Sequence, residues 1–212
     1  MIPSETRLLR LLTWLTPAFA AGTFGYAHGL ESAIRDRIVT DTLGLTAWIS
    51  NLIEHGPGWT DAVLARAAWI AVTAEDHVAL DRIAALAEQQ IASPHRRRES
   101  LAQGKAFLVA VAAWNPPPIL SAPYPVAVGA TAGAAGIPLE PALAAWLHAF
   151  AAHLTGLATR AIPLGQSDAV AVIASLERVI LRTATRAADP TLDDLGAAGP
   201  ELSSIPQRVA QR

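Results

Sequence analysis

Nineteen consecutive residues, Pro141 to Thr159, carry no Asp, Glu, Lys or Arg, and this stretch limits the possible folds most. It is long enough to cross a membrane. Its large apolar residues, however, form a stripe and not a uniform coat: Leu143, Leu147, Phe150, Leu154 and Leu157 recur at spacings of four and three. That period places them on one face of a helix packed among other helices. His148, His153, Thr155 and Gly156 interrupt the coat further. The expectation is a buried bundle helix running from Pro138 to a break near Pro163.

The rest of the chain repeats the pattern. Glu5 to Trp14 predicts a short helix with Leu8, Leu11, Leu12 and Leu15 on one side. His28 to Asp36 resumes helix. Thr40 or Asp41 can cap a third, with Leu45, Trp48, Ile49, Leu52 and Ile53 inward. Gly56-Pro57-Gly58 ends it, and Thr60 reads as the N-cap of a helix reaching about Ala74. Ala79 to Ile91 forms another, stopped at Ser93-Pro94. Arg96 to Trp114 follows, and Pro116-Pro117-Pro118 imposes an extended connector. Gly129 and Gly133, four apart in a run of small residues, suit a close helix–helix approach. Asp168 to Ala187 is the last helix, with Val172, Ile173, Leu176, Ile180 and Thr183 inward. Strand alternation and internal repeats are missing. The fold expected is an all-α, single-domain helical bundle of roughly eight to ten helices over residues 1–188, with 189–212 as a C-terminal tail.

Composition narrows the function classes. A chain of 212 residues with 52% hydrophobic and 16% charged residues has more apolar helix surface than a lone bundle needs, as in a subunit that covers surface against partners. A net charge of −2 gives no electrostatic case for nucleic acid or an anionic membrane. Zero cysteines exclude disulfides, thiolate metal sites and cysteine nucleophiles, and fit the cytoplasm. Arg7 and Arg10 before Leu11–Ala20 mimic a signal peptide, but Thr13, Thr16 and Pro17 interrupt the apolar run.

No catalytic constellation emerges. The six histidines never stand three or four apart, the spacing that aligns two imidazoles on a helix. His148 and His153 diverge by about 140°, so no metal site or cofactor is expected. Gly104-Lys105 resembles the end of a phosphate loop, but Glu99 and Ala106 stand where a glycine and a hydroxyl residue belong. No serine lies in a nucleophile elbow, and Asp193-Asp194 read as a solvated loop. Arg96-Arg97-Arg98 reads as a solvated turn or a contact for an acidic partner. Arg178, Arg182 and Arg186 read likewise as a solvated face or an acidic docking surface. Arg160, at the end of the long helix, would need a partner if buried, such as Gln166, a carbonyl row or a carboxylate.

The unusual segment is Phe19 to Glu31. Gly22, Gly25 and Gly29 alternate there with Phe24, Tyr26 and His28 and lead into Glu31. Three glycines so close are costly in a helix, about 1 kcal/mol each. The segment is either a tight turn with aromatics filling the core or a shaped loop that displays them. It resembles the N-terminal signature of the urease accessory protein F (UreF) family through Phe19, Gly22, Phe24, Tyr26, His28, Gly29, Leu30 and Glu31, with Ala20 and Ala27 in place of proline and serine. Arg160 to Asp168 resembles that family's Arg-x-x-Pro-Leu-Gly-Gln segment. Arg98-Glu99-Ser100 with Gly104, and Tyr124-Pro125 with Gly129, are weaker matches.

The resemblance spans about Leu8 to Gly196. It implies a non-enzymatic helical protein that helps install nickel in urease. Such a protein dimerises, binds a second accessory protein (D or H) and recruits the accessory GTPase, G, that delivers nickel to the urease apoprotein. Carried over by residue, it marks Phe24, Tyr26, His28 and Glu31 for partner recruitment, and Arg160 and Gln166 for structure or signalling to the GTPase. On that basis Tyr26→Ala and His28→Ala should spare stability and weaken assembly. Family chains also end in a tail bearing His-Glu and Tyr-Ser-Arg-Leu-Phe. Ile205 to Arg212 shows neither, which implies a truncated tail or different docking. The competing expectation is a helical small-molecule- or metal-binding protein with a pocket at the Phe24–Glu31 loop, lined by Tyr26, His28, Trp14 and Trp48. A membrane-inserted helical protein is the third.

Overall fold

The computed structural model describes residues 3–16, 19, 27–114 and 119–189. Phe24, Tyr26, the triple proline, Asp193-Asp194 and the tail after Asp189 lie outside the described residues. Those described form nine α-helices and one 3₁₀ turn, with no strand among them: α1 Ser4–Trp14, α2 Leu30–Arg35, α3 Thr42–His55, α4 Pro57–Thr73, α5 His77–Gln90, α6 Pro94–Ala110, α7 Tyr124–Ala134, α8 Leu139–Ala161 and α9 Gln166–Ala187, the 3₁₀ turn being Val111–Trp114. The all-α expectation holds.

Local chemistry explains the boundaries. Asp41 caps α3 by accepting the Gly44 N–H at 2.8 Å, and Asp76 caps α5 by accepting that of Ala79 at 2.8 Å. The helix expected to have Thr60 as its N-cap starts four residues earlier. Pro57 opens α4 at a position that needs no N–H, and Gly56 serves both as C-cap of α3 and N-cap of α4. Ser93-Pro94 likewise stops α5 and also starts α6, two residues before Arg96.

The centre of the bundle is α4, which packs against α3, α5, α7, α8 and α9. Its closest neighbour is α7, buried from Tyr124 to Gly133. A Cβ on Gly129 would sit 2.1 Å from the Ala65 carbonyl oxygen, and one on Gly133 2.9 Å from that of Trp69. Residues 65 and 69 thus face 129 and 133 in the same order, so α4 and α7 run parallel. Only glycine lets these backbones approach so closely. The Trp69 indole N–H donates to the Ile137 carbonyl at 2.8 Å, closing the far end of this pair. α8 buries Leu143, Leu147, Phe150 and Leu154 of its stripe and leaves Leu157 half-buried, while Trp146, outside the stripe, joins the core. Among the described residues, no helix is long and apolar enough to cross a membrane.

Two surface expectations change. On α1, Leu11 and Trp14 are buried and Leu15 half-buried, while Leu8 and Leu12 are exposed. Trp14 meets Trp114 edge to face with ring centroids 6.1 Å apart, and this large contact rotates α1 so that two of the four leucines point outward. The arginine row of α9 is not a freely solvated face. Arg182 pairs with Glu54, and Arg186 donates to the Glu54 carbonyl in the last turn of α3 while covering the Trp59 ring at 4.0 Å. A helix C-terminus is the favourable place for such cations. Ile173, expected inward, is half-buried, and Val179 takes a place in the core.

Candidate functional site

His28 and Gly29 both adopt left-handed backbone, with φ of +47° and +78°. For histidine that conformation is uncommon and marks a turn held by its surroundings. Gly29 then serves as the N-cap of α2. The turn drives the His28 side chain inward, where it is 7% exposed and its ring lies 5.0 Å from that of Phe150. His28 is therefore part of the core and not a displayed side chain. Truncating it should cost stability, contrary to the expectation from sequence. Glu31 differs: it is exposed in the first turn of α2, where a carboxylate complements the helix dipole.

Below His28, one stripe of α8 carries Phe150, His153 and Arg160, at offsets of three and ten residues. The stripe runs about 15 Å along the axis at 1.5 Å per residue. His153 is half-buried, and burial, with the Arg160 charge adding to it, lowers its pKa to about 4. Burial first, then the charges of Arg96 and His153, lower that of His28 to about 3. Both imidazoles are neutral at physiological pH.

Arg160 itself is exposed, so the buried clamp considered for it does not form, and Gln166 is exposed as the first residue of α9. The segment between them is a compact corner. Ile162 is buried, the Leu164 N–H donates to the Ile162 carbonyl at 2.7 Å, and the Gly165 N–H donates to Asp168 Oδ2 at 2.9 Å.

The weaker matches meet where α6 packs against α7 and the segment that enters it. The Ser100 hydroxyl accepts the Tyr124 N–H at 3.1 Å, satisfying the start of α7. A Cβ on Gly104 would lie 1.9 Å from the Ala122 carbonyl oxygen, so α6 presses directly on the segment entering α7. Arg96 pairs with Glu99 at 3.6 Å, and its charge acts on both His28 and Asp61. Arg97 donates to the Ile91 carbonyl at 3.1 Å, leaving Arg98 as the exposed member of the triple arginine.

Asp61, in α4, was not singled out from sequence. Burial pushes its carboxyl up to about 7, an effect that Arg96 partly offsets. A lone carboxylate just before the apolar run from Ala62 to Ala65 was the available signal. Phe150, read as a core residue, and His153, read only for its spacing, also belong to this centre.

His28 is buried, whereas Glu31, Arg160 and Gln166 are each exposed. Among the described residues, no group of three His, Cys, Asp or Glu could hold a metal ion. An apolar cavity between α1, α4, α7 and α8 is lined by Trp14, Trp69, Val128, Leu143 and Trp146, among others, but by neither His28 nor Trp48.

A family model described as UreF matches residues 39–177, well over half of the chain. The chain belongs to the UreF family. Among curated relatives, the urease accessory protein UreF of Mesorhizobium japonicum is 46% identical over 198 residues, covering 92% of this chain and 88% of that one. That of Brucella ovis is 46% identical over 200 residues, covering 91% and 86%. That of Agrobacterium fabrum is 44% identical over 196 residues, covering 90% and 86%. Of the motifs that resemble UreF in sequence, the first meets α8 through His28 and Phe150, and the segment Arg160 to Asp168 joins the end of α8 to the start of α9.

The buried groups set a pH dependence. Between pH 6.5 and about 4, unfolding lets His28 and His153 each take up a proton that the folded state refuses. Over the same range folded Asp61 keeps a proton that the unfolded chain releases. The net uptake on unfolding is 2 − 1 = 1 proton, so stability falls as the pH drops. We expect the urea midpoint to be lower at pH 5 than at pH 6.5. His28→Asn, which tolerates left-handed backbone, should nearly abolish that difference. An equally steep dependence in the variant would show that His28 is not the buried neutral group.

Proposed function

We propose that this chain is a non-enzymatic scaffold for nickel insertion into urease. As a cytoplasmic homodimer it binds the D/H accessory protein and recruits or regulates the GTPase that delivers the metal to the urease apoprotein. The observation that carries this reading is the family membership. The buried His28–Phe150 contact supports the turn from behind, while Glu31, Arg160 and Gln166 remain free to meet a partner. Phe24 and Tyr26 belong to the same proposed contact. His28 contributes by positioning the turn.

The test is reconstitution of the purified chain with the D/H protein and the GTPase, followed by light scattering and by nickel content of the recovered urease. Glu31→Lys, and separately the pair Arg160→Ala and Gln166→Ala, should each weaken assembly about tenfold, equivalent to about 1.4 kcal/mol. Stability should fall by no more than about 1 kcal/mol, since these side chains are exposed and lose only their interaction with a helix end. Wild-type chain that fails to assemble, or variants that assemble and activate urease as well as wild type, would refute the scaffold function or the assigned surface respectively.

A further inference from the structure

α1 turns a stripe of cations and an indole toward the bundle. At about 100° per residue, Arg10, Leu11 and Trp14 all fall within about 60° of Arg7, whereas Leu8, Leu9 and Leu12 lie about 100° or more away. Leu11 and Trp14 are buried and both arginines are half-buried, so this stripe is the inward one. Three N–H groups on it lack an acceptor. Arg7 Nε, Arg10 Nε and Trp14 Nε1 are each buried and without a hydrogen-bond partner among the described residues. Neither arginine forms an ion pair there. Glu5, the one carboxylate of α1, stands about 160° round the helix from Arg7 and about 140° from Arg10, and the Ser4 hydroxyl engages it at 3.0 Å.

A buried N–H without an acceptor is costly and rare in a folded chain, and where one persists a water or an ion is the usual completion. Water does not serve here. The cavity that Trp14 lines, about 10 Å³, has room for one, but its walls are apolar and would give that water too few partners. Water also leaves the charges uncompensated. Two guanidiniums three residues apart repel one another, and Arg7, the fourth residue of α1, stands at the positive end of the helix dipole. Positive charge without a counter-charge, together with three donors on one stripe, calls for a group with negative charge and several acceptor oxygens. Guanidinium N–H groups match the oxygens of carboxylate and phosphate, and an indole N–H can only donate. Side chains at these offsets start about 5–6 Å apart, within reach of one such group. We propose that the inner stripe of α1 binds a small oxyanion, a carboxylate or phosphate, between Arg7, Arg10 and Trp14. The site does not depend on the scaffold function above.

The experiment titrates the full-length chain with inorganic phosphate and, separately, with sodium acetate, at an ionic strength held constant with sodium chloride. Calorimetry gives the affinity. Proton–nitrogen correlation NMR follows the arginine Nε–H and tryptophan indole N–H groups, assigned through Trp14→Phe, Arg7→Lys and Arg10→Lys. The expected result is a saturable response to at least one probe in which the Arg7, Arg10 and Trp14 signals move together. The pair Arg7→Lys and Arg10→Lys keeps both charges but removes both Nε–H groups, and should weaken that binding about tenfold with Tm near that of wild type. The pair Arg35→Lys and Arg37→Lys, at exposed positions in and after α2, is the control and should bind like wild type. Saturation by phosphate alone makes the ligand a phosphate, and saturation by acetate makes it a carboxylate; both support the site. A response that only rises linearly with either salt would be adventitious ion binding and overturns it. So does saturable binding that the Arg7 and Arg10 pair leaves unchanged, or that moves the arginine signals without Trp14. The NMR titration is read on the wild-type chain, so it decides the matter even where the lysine pair fails to fold.

Discussion

Replacing Gly129 by alanine is expected to destabilise the fold by about 3 kcal/mol, at the upper end of the cost of overpacking a core. The added methyl would lie 2.1 Å from the Ala65 carbonyl oxygen and 2.6 Å from its carbon atoms. All three are backbone atoms, so no rotamer change can relieve the overlap and the parallel α4–α7 pair has to separate. Separation would loosen contacts around the central helix, because α4 packs against five others. At roughly 2–4 °C per kcal/mol for a chain of this size, Tm should fall by about 6–12 °C. Gly156→Ala provides the contrast. It lies inside α8 with nothing within 4 Å of an added Cβ, so it should gain about 1 kcal/mol from helix propensity alone. Circular-dichroism melts of both variants decide the matter. A Gly129→Ala protein melting within 2 °C of wild type would mean that α4 and α7 do not meet at this distance.

Phe150→Ala should be more damaging still, at about 3–5 kcal/mol, the usual cost of deleting a buried aromatic ring. Phe150 is 1% exposed, and the His28 imidazole rests on it. The variant carries a second signature that a general core residue would lack. Without the ring, water reaches the imidazole, and the His28 pKa should rise from about 3 toward the unperturbed 6.5. Histidine resonances followed by NMR against pH would report it. Lost stability with an unchanged His28 titration would show that Phe150 fills the core without supporting the turn.

These two residues show how differently the fold and the site could be read in advance. Gly129 and Gly133 declared themselves by their spacing in a run of small residues, and the structure gives each a neighbouring carbonyl. The stripe of α8 predicted the burial of Leu143, Leu147, Phe150 and Leu154, although Leu157 is half-buried and Trp146 joins the core from outside it. By contrast, the four leucines at the start of the chain suggested one inward face, whereas Leu8 and Leu12 lie outside. Periodicity gives the angular relation among residues on a helix but not the direction in which the helix faces its neighbours. The contact between Trp14 and Trp114, a hundred residues away, set that direction.

His28 illustrates the same limit at the candidate site. Three glycines and the aromatics identified an unusual turn, and both a core-filling and a displayed form were consistent with them. Left-handed backbone at His28 and the position of Phe150 decided for burial of that residue. Asp61 and Arg96 lie 35 residues apart in sequence, and no local pattern announced their electrostatic contact. Arg186 read as one of a repeating row until Glu54 and Trp59 were seen beneath it.

By itself, then, the sequence determined that this protein is an all-helical bundle with a close glycine-mediated helix pair, and that its motifs resemble those of UreF. These follow from short-range rules: the 3.6-residue period, proline and glycine at helix ends, and the order of residues in a motif. Only the tertiary structure decided which leucines α1 turns outward, which arginines are pinned to a helix end, and which imidazole is buried neutral. Those outcomes depend on desolvation and on side chains from distant segments, whose joint effect no single stretch of chain contains.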